Sequence, residues 1–548
     1  MHSGNEEDLL HRIDQLNSIG IALSAERDTE RLLEMILVGA KTITNADGGS
    51  IYTVEPDRRH LRLAIMRTES LDLAMGGTTG RAVPFDAIPL FESSGEANKR
   101  MVVTCAVHEG RTIAVADAYS SEEFDFSGTR GFDRQTGYRS RSFLTVPLRD
   151  HENQINGVLQ LINAVDGATG DIVSFSDSDQ RLTESLASQA AVALTKKQLI
   201  DGMQELFDAF VRLIATAIDE KSPHTGDHCR KVPVLTMALA DAANHTSHGP
   251  LAEFILDEDG RYELDLASWL HDCGKITTPE WVVEKGTKLQ TIFDRIELVD
   301  TRFEVLRRDA EVERLEGIVE ALRRGAESEV EAIERAYEQR LEVLEDDRRF
   351  LHECNLGVER MSSEDQHRVR RIARRRWHGL AGESLPLLTD DEVHNLTIVR
   401  GTLTPEERRI IDNHIVATIK MLDALPFPRH LQNVPEYAGA HHERVDGTGH
   451  PRGLTREQMS VPARIMAIAD VFEALTSSSR PYKDPMPLSQ ALAILGRMSE
   501  AGHVDPDLFD VFVRERVWEG YAAEHLEPSQ VDEIDLTALP GYGGAPQA

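Results

Sequence analysis

The stretch His441-His-Glu-Arg-Val-Asp-Gly-Thr-Gly-His-Pro451 places tandem imidazoles ahead of an acidic, glycine-rich turn. Four other segments of like chemistry stand with it in order. They are Glu220-Lys-Ser-Pro-His224-Thr-Gly-Asp-His228, Leu270-His-Asp-Cys-Gly-Lys275, Asn413-His414 and Ile468-Ala-Asp470-Val-Phe-Glu-Ala-Leu-Thr-Ser477. Imidazole and carboxylate without thiolate suit Fe, Mn, Co or Zn at a hydrolytic site. In an adjacent His-Asp pair the carboxylate can bridge two ions while the imidazole binds one. Two ions about 3.5–4 Å apart can share a hydroxide nucleophile and clamp a phosphoryl oxygen. A lone His-Asp dipeptide arises often by chance. The tandem histidines with Asp-Gly-x-Gly-x-Pro, in order with the other segments, do not.

Around these motifs lies a chain of 548 residues, enough for three or four folding units. Apolar residues at 41% and charged residues at 28% are ordinary for a globular protein. Lys and Arg number 60 against 93 Asp and Glu, a formal charge of −33. Such a surface repels phosphate backbones and anionic lipid, so neither nucleic acid nor membrane is expected as a partner. A small anionic ligand stays open, because a bound metal reverses the local sign. Cys105, Cys229, Cys273 and Cys354 form no CxxC pair, which implies neither a disulfide framework nor a thiolate zinc site. The acidic start and the absence of an apolar run of about 18 residues predict a cytoplasmic protein.

From about 8 to 200, helical and strand patterns alternate. Leu32, Leu33, Ile36, Leu37, Ala40 and Ile43 recur at helical spacing up to the turn-rich Asn45-Ala-Asp-Gly-Gly49. Ser50–Val54, alternating Leu61, Leu63 and Ile65, Phe143–Leu148 and Gly157–Asn163 read as strands, and a long helix begins near Ser176. An antiparallel sheet flanked by helices is an α+β, sensor-like domain. Leu199, Met203, Leu206, Phe210, Leu213 and Ala217 then form a 4-3-4-3-4 seam, suited either to a dimeric coiled coil or to a helix packed on its own domain. In 287–396, Ile292, Ile296, Val299, Phe303, Leu306 and Ala310 make one apolar stripe. Val330, Ile333, Tyr337, Leu341, Leu344 and Leu351 make another, which together read as a helical hairpin. The run Arg370–Arg376 reads as a solvated, salt-bridged helix face.

The amino-terminal half resembles the GAF domain family. The resemblance lies in Gly131-Phe-Asp-Arg-Gln-Thr-Gly-Tyr138, the two later strands, Asn163 and Phe175-Ser-Asp-Ser-Asp179. Asn163, Phe175 and Asp179 match the signature of cyclic-nucleotide-binding GAF domains, whereas Ala164 and Gln180 replace its Lys and Glu. The alternative role for these residues is to tie the sheet to its helix. The GAF ligand is expected to be an unidentified small molecule.

The carboxyl half resembles the HD-GYP family of cyclic di-GMP phosphodiesterases, a branch of the HD metal-dependent phosphohydrolases, over roughly 205–285 and 397–520. His-Asp-x-Gly-Lys appears at His271–Lys275, and His-His-Glu-x-x-Asp-Gly-x-Gly-Tyr-Pro-x-Gly-Leu at His441–Leu454, with His450 in place of Tyr. Ala-Asp-x-x-x-Ala-Leu-Thr-Ser appears at Ala469–Ser477, and Arg-Pro-Tyr-Lys at Arg480–Lys483, one residue late. The resemblance implies metal ligation by His271, Asp272, His414, His441, His442 and Asp470, with Asp272 bridging. It implies catalysis and phosphate contact by Lys275, and a hold on the second phosphate by Arg480 and Lys483. Glu443 and Asp446 would orient imidazoles, and Gly447 and Gly449 would permit a tight turn. Glu220 and His224, four apart at the end of a helix, could bind a third ion, as their equivalents do in some family members.

The fold expected is thus multidomain, an α+β GAF sensor domain plus an all-α HD-GYP domain carrying an inserted helical hairpin. The divisions are 1–198 for the GAF domain with flanking helices and 199–218 for the connecting helix and dimer coiled coil. They continue with 219–286 for the first HD-GYP part, 287–396 for the insertion, 397–525 for the second part and 526–548 for a tail. The activity implied is GAF-regulated hydrolysis of cyclic di-GMP to pGpG and then GMP, by a homodimer holding two or three divalent ions, Fe or Mn. The alternatives are a phosphohydrolase for another cyclic nucleotide, such as cyclic GMP-AMP, and a non-catalytic cyclic di-GMP receptor.

Overall fold

Phe143-Leu-Thr-Val-Pro-Leu148 is buried at every position because both faces of its strand are covered. The computed structural model describes residues 2–26, 28–221, 227–247, 249–357, 360–477 and 486–543. It contains two compact units, Met1–Leu206 and Phe207–Ala548. In the first, α1 (His2–Ala25) and α2 (Thr29–Thr44) precede β1 (Ala46–Val54), β2 (His60–Thr68), β3 (Leu73–Gly76) and β4 (Ile88–Pro89). Then come α3 (Val102–Glu109), β5 (Ile113–Val115), α4 (Ser127–Thr136), β6 (Phe143–Arg149), β7 (Ile155–Val165), β8 (Ile172–Val173) and α5 (Asp177–Lys221). The sheet runs β3-β2-β1-β7-β6-β5, with β4 on β2 and β8 on β7. Successive side chains of a strand point to opposite faces. Leu144 and Leu161 therefore meet Ile36 of α2 and Leu186 of α5, while Phe143 and Val158 meet Val102 and Phe126 on the other side.

The turn expected at Asn45–Gly49 is shorter than its composition suggests. Only Asn45 turns, capping α2 at φ 49°, and Ala46 already pairs with Ala164 of β7. A Cβ at Gly49 would lie 2.8 Å from Leu37, so α2 lies on β1 at a spacing that glycine permits.

The second unit is helical. Its main core joins α6 (His228–Asn244), α7 (Glu258–Leu270), α15 (Val434–Gly439), α16 (Val461–Thr476), α17 (Leu488–Glu500), α18 (Pro506–Arg514) and α19 (Trp518–His525). Val211, Ala215 and Ile218 on one face of α5 enter this core. The predicted seam does not. Leu199, Met203, Leu206, Phe210 and Leu213 are 54–72% exposed, so the reading of the seam as packed on its own domain is overturned. Residues 526–543, set apart as a tail, lay Leu526, Ile534, Leu536 and Leu539 on the core. Gln530 Nε2 there donates to Thr476 O and Met486 O at 2.8 and 3.2 Å.

Between α8 (Glu280–Val283) and the later pair α13 (Pro405–Asp412) and α14 (His414–Asp423), the segment expected as an inserted hairpin is more than a hairpin. It comprises α9 (Ile296–Arg323), α10 (Val330–Asn355), α11 (Ser363–Ala373), β9 (Arg376–His378), β10 (Ser384–Pro386) and α12 (Asp390–Leu396). The stripes on α9 and α10 close on Val369, Ile372 and Leu387 in a core of their own. Ile292, placed in the first stripe, is 95% exposed because α9 begins only at Ile296. The Arg370–Arg376 run is no single helix face. α11 ends at Ala373, Arg375 pairs with Asp347 at 2.6 Å, and Arg376 opens a strand. At the base, Lys285 Nζ donates to Asn395 Oδ1 at 2.7 Å and pairs with Glu407 at 2.8 Å. Lys288, fully buried, donates to the carbonyls of Leu396 and Ile398 at 3.3 and 2.9 Å. No helix among the described residues is long and apolar enough to cross a membrane.

Candidate metal centre

Helix ends converge to build this site. His271 and Asp272 follow α7, His414 opens α14, His441 and His442 follow α15, and His228 opens α6. Asp470 and Glu473 lie three apart on α16 and so share a face. The Nδ1 atoms of His271, His414 and His441 each meet the carbonyl three residues back, Ser268, Ile411 and Ala438, at 2.7, 2.6 and 2.6 Å. A carbonyl only accepts, so these imidazoles hold their proton on Nδ1 and present the Nε2 lone pair inward. His228 does the same through Glu473, whose carboxylate accepts from its Nδ1 at 2.5 Å.

The inward atoms form two groups, His228 with His271 and Asp272, and His414 with His441 and His442. His228 Nε2 stands 3.2 Å from Asp272 Oδ2, from Asp470 Oδ1 and from His271 Nε2. Asp272 turns its other oxygen to the second group, with Oδ1 3.2 Å from His414 Nε2, and His414 Nε2 is 3.2 Å from His442 Nε2. Lone pairs facing each other at this distance repel unless a cation lies between them. Imidazole and carboxylate bind divalent ions at about 2.0–2.2 Å, which sets two ligands of one ion about 3 Å apart. His441 Nε2 and Asp272 Oδ1 are buried without a hydrogen-bond partner. Donor chemistry, spacing and these orphaned atoms all fit divalent cations.

Electrostatics agree with that assignment. Burial raises the pKa of Asp272, but Lys275 and His271 outweigh it and hold the carboxyl well below the usual range. Asp470 is likewise depressed, by the hydrogen bond from His228 and by His441, against burial. Burial, with His442 and His271 beside it, keeps His441 neutral. His228 is the exception to that agreement: burial lowers its pKa, but hydrogen bonds to Asp272, Asp470 and Glu473 outweigh it and favour the protonated form, so its Nε2 can take a cation only in exchange for a proton. Lys275 Nζ lies 2.5 Å from Asp272 Oδ2.

The chain matches the GAF domain family over residues 28–194 and the HD domain family over 384–508. It joins a GAF domain to an HD domain. Over 81 residues it is 49% identical to the 3'3'-cGAMP-specific phosphodiesterase 1 of Vibrio cholerae, covering 15% of this chain and 19% of that one. Over 114 residues it is 38% identical to the cyclic di-GMP phosphodiesterase of Thermotoga maritima, covering 21% of this chain and 30% of the relative. The chain thus spans less than a third of the length of either relative. The solved GAF domain/HD domain protein from Geobacter sulfurreducens is 16% identical, with a TM-score of 0.23 over 32% of this chain and 98% of that one.

In the helical unit, His271, Asp272, His414, His441, His442 and Asp470, all expected as ligands, lie together. Glu220 is exposed at the end of α5 and belongs to neither group, whereas His228 belongs to one. The face of α5 that enters the core carries Ala215, Ile218 and Asp219, which turns Glu220 away. His224, Arg480 and Lys483 lie outside the described residues. Among the described residues, Glu443 makes no hydrogen bond to an imidazole. Buried, it accepts the amides of Arg452 and Leu454 at 2.7 and 2.9 Å and so shapes the loop after the tandem histidines. Asp446 is exposed and accepts from Thr448 N and Oγ1. Gly447 takes φ +79°, and a Cβ at Gly449 would lie 2.2 Å from Arg444 N, so the turn needs both. His228 and Glu473 were the residues missed. The spacing of Glu473, three after Asp470, was the available signal.

In the GAF domain, the signature residues are engaged within the protein. Asn163 Oδ1 accepts from Arg141 N at 2.7 Å, and its Nδ2 donates to Arg139 O at 2.9 Å. Asp179 accepts from Ser176 N at 2.8 Å and pairs with Arg12. Asn163 thus holds β7 to the segment leading into β6, and Asp179 caps α5 and joins it to α1.

Proposed function

We propose that this chain is a metal-dependent phosphodiesterase that hydrolyses cyclic di-GMP to pGpG and then GMP, under control of its GAF domain in the cytoplasm. The observation that carries the reading is Asp272, whose two oxygens face separate ligand groups while Lys275 stands against it. His228, His271, Asp272 and Asp470 would hold one divalent ion, Fe or Mn, and His414, His441, His442 and Asp272 a second. When bound, such ions act as Lewis acids on phosphoryl oxygens and lower the pKa of water.

The chain's own groups do the rest. Glu473 keeps the proton of His228 on Nδ1, and backbone carbonyls do so for the other imidazoles, so the lone pairs stay aimed. Lys275 brings a fixed cation to the charge that develops on the phosphate. Arg480 and Lys483 would hold the second phosphate of the cyclic dinucleotide. The exposed seam on α5 supports a parallel homodimer as the acting form.

A second reading, hydrolysis of 3'3'-cGAMP, is favoured by the 49% identity to a phosphodiesterase named for that substrate. Incubation with each dinucleotide, with and without Mn²⁺ or Fe²⁺, tests both. Metal-dependent appearance of pGpG at a higher kcat/KM than the cleavage of 3'3'-cGAMP supports the first. The reverse order supports the second, and no hydrolysis of either leaves a receptor.

A further inference from the structure

α5 runs without interruption from Asp177 in the GAF unit to Lys221 in the HD unit. Its last residue reaches the metal-site loop. Lys221 Nζ donates to Lys275 O at 3.2 Å, Ile276 O at 2.7 Å and Thr278 O at 2.6 Å. An ammonium has three N–H donors, and all three are used on this one segment. The segment is the end of the short 3-10 turn Cys273–Thr277 with its cap Thr278, where terminal carbonyls carry partial negative charge; Lys275 O also accepts from Thr278 N at 3.0 Å. Lys221 therefore caps from outside the turn that carries Lys275.

The same turn is anchored independently on its other side. Gly274 N donates to Thr418 Oγ1 of α14 at 2.9 Å, and a Cβ on Gly274 would lie 2.0 Å from His414 O. That second anchor ties Asp272 to the helix bearing His414. The two anchors divide the labour. The contact with α14 keeps metal ligands together, and the contact with α5 fixes the backbone from which Lys275 reaches Asp272.

We infer that Lys221 is a positioning residue that makes the end of α5 and the Lys275 turn one body, so that Lys275 is held where the phosphate charge develops. This rests on the phosphodiesterase reading above. Lys221 lies outside the ligand set, and it joins α5 to this turn beside the apolar contacts that Val211, Ala215 and Ile218 make with the core.

The test uses the full-length protein loaded with Mn²⁺, comparing wild type with Lys221→Met and Lys221→Arg. Kinetics are read on whichever dinucleotide the wild type turns over, metal by elemental analysis, and amide hydrogen exchange over 274–278. Lys221→Met is expected to lower kcat about tenfold through misplacement of Lys275, with ions per chain unchanged and exchange at 274–278 accelerated. Lys221→Arg, which keeps a cation and its donors, should restore most of both. Wild-type kcat and exchange in Lys221→Met would overturn the inference. Loss of metal in parallel with kcat would also overturn it, by making Lys221 a brace for the whole site. A wild type that hydrolyses neither dinucleotide defeats the phosphodiesterase reading instead, while the exchange comparison still decides whether Lys221 holds the turn.

Discussion

Removing the Asp272 carboxylate takes one oxygen from each ligand group at once. Replacing His271 and Asp272 together by Ala should lower turnover by more than about a thousandfold, since two-ion chemistry needs both groups. Helical circular dichroism should be retained, and full activity in that variant would contradict the mechanism. Gly274 makes a different case. A Cβ there would meet His414 O at 2.0 Å and Thr418 N at 2.5 Å, an overpacking that should cost about 3 kcal/mol in thermal or denaturant unfolding. Asp505 links acidity to stability. Buried at the start of α18, it accepts from Arg456 and Arg464, which outweigh burial and hold its pKa below the ordinary 3.8. A depressed carboxyl stabilises the fold above its unfolded pKa and loses that effect as pH falls through the folded value. Asp505→Asn should therefore cost about 2 kcal/mol at pH 7, a difference that narrows as pH is lowered past 3.8. Among these residues the sequence was legible where a motif is local. His271, Asp272, His441, His442 and Asp470 all lie in short runs. His228 escaped because its partner Asp272 is 44 positions ahead, whereas Glu220 attracted attention through its spacing to His224, which lies outside the described residues.

At the level of elements, the seam on α5 exposes five large apolar side chains at heptad spacing while the opposite face is buried. A single chain gains nothing from that arrangement, and a partner helix removes the stripe from water. Light scattering should give a dimer at high micromolar concentration, and Leu206→Asp with Leu213→Asp should give a monomer. A wild-type monomer under those conditions would refute the coiled coil. The insertion has a core of its own, and Lys285 and Glu407 both lie outside 287–396. Exchanging 287–396 for a Gly/Ser linker should leave metal content unchanged in elemental analysis, since that ion pair survives the cut. The 3.6-residue periodicity revealed α9 and α10 from sequence. The three-residue strands β9 and β10 were not legible, because so short a run carries no period to read.

For the whole molecule, the number of ions is the open quantity with the sharpest measurement. The described ligands supply two groups, and a third ion depends on His224. Protein purified without oxygen under iron-replete conditions should carry two ions per chain, unchanged in His224→Ala. A wild-type content near three that falls to two in that variant would add a third site to the two groups seen. A further property follows from the base of the insertion. Lys285 and Lys288 draw its entry and exit together on Asn395, Leu396, Ile398 and Glu407. To the rest of the HD fold, some hundred residues are thus equivalent to a short surface connection. Such a closure should let what lies beyond it be lengthened, shortened or exchanged without retuning the ligand geometry, which makes this stem a natural place to graft a foreign segment.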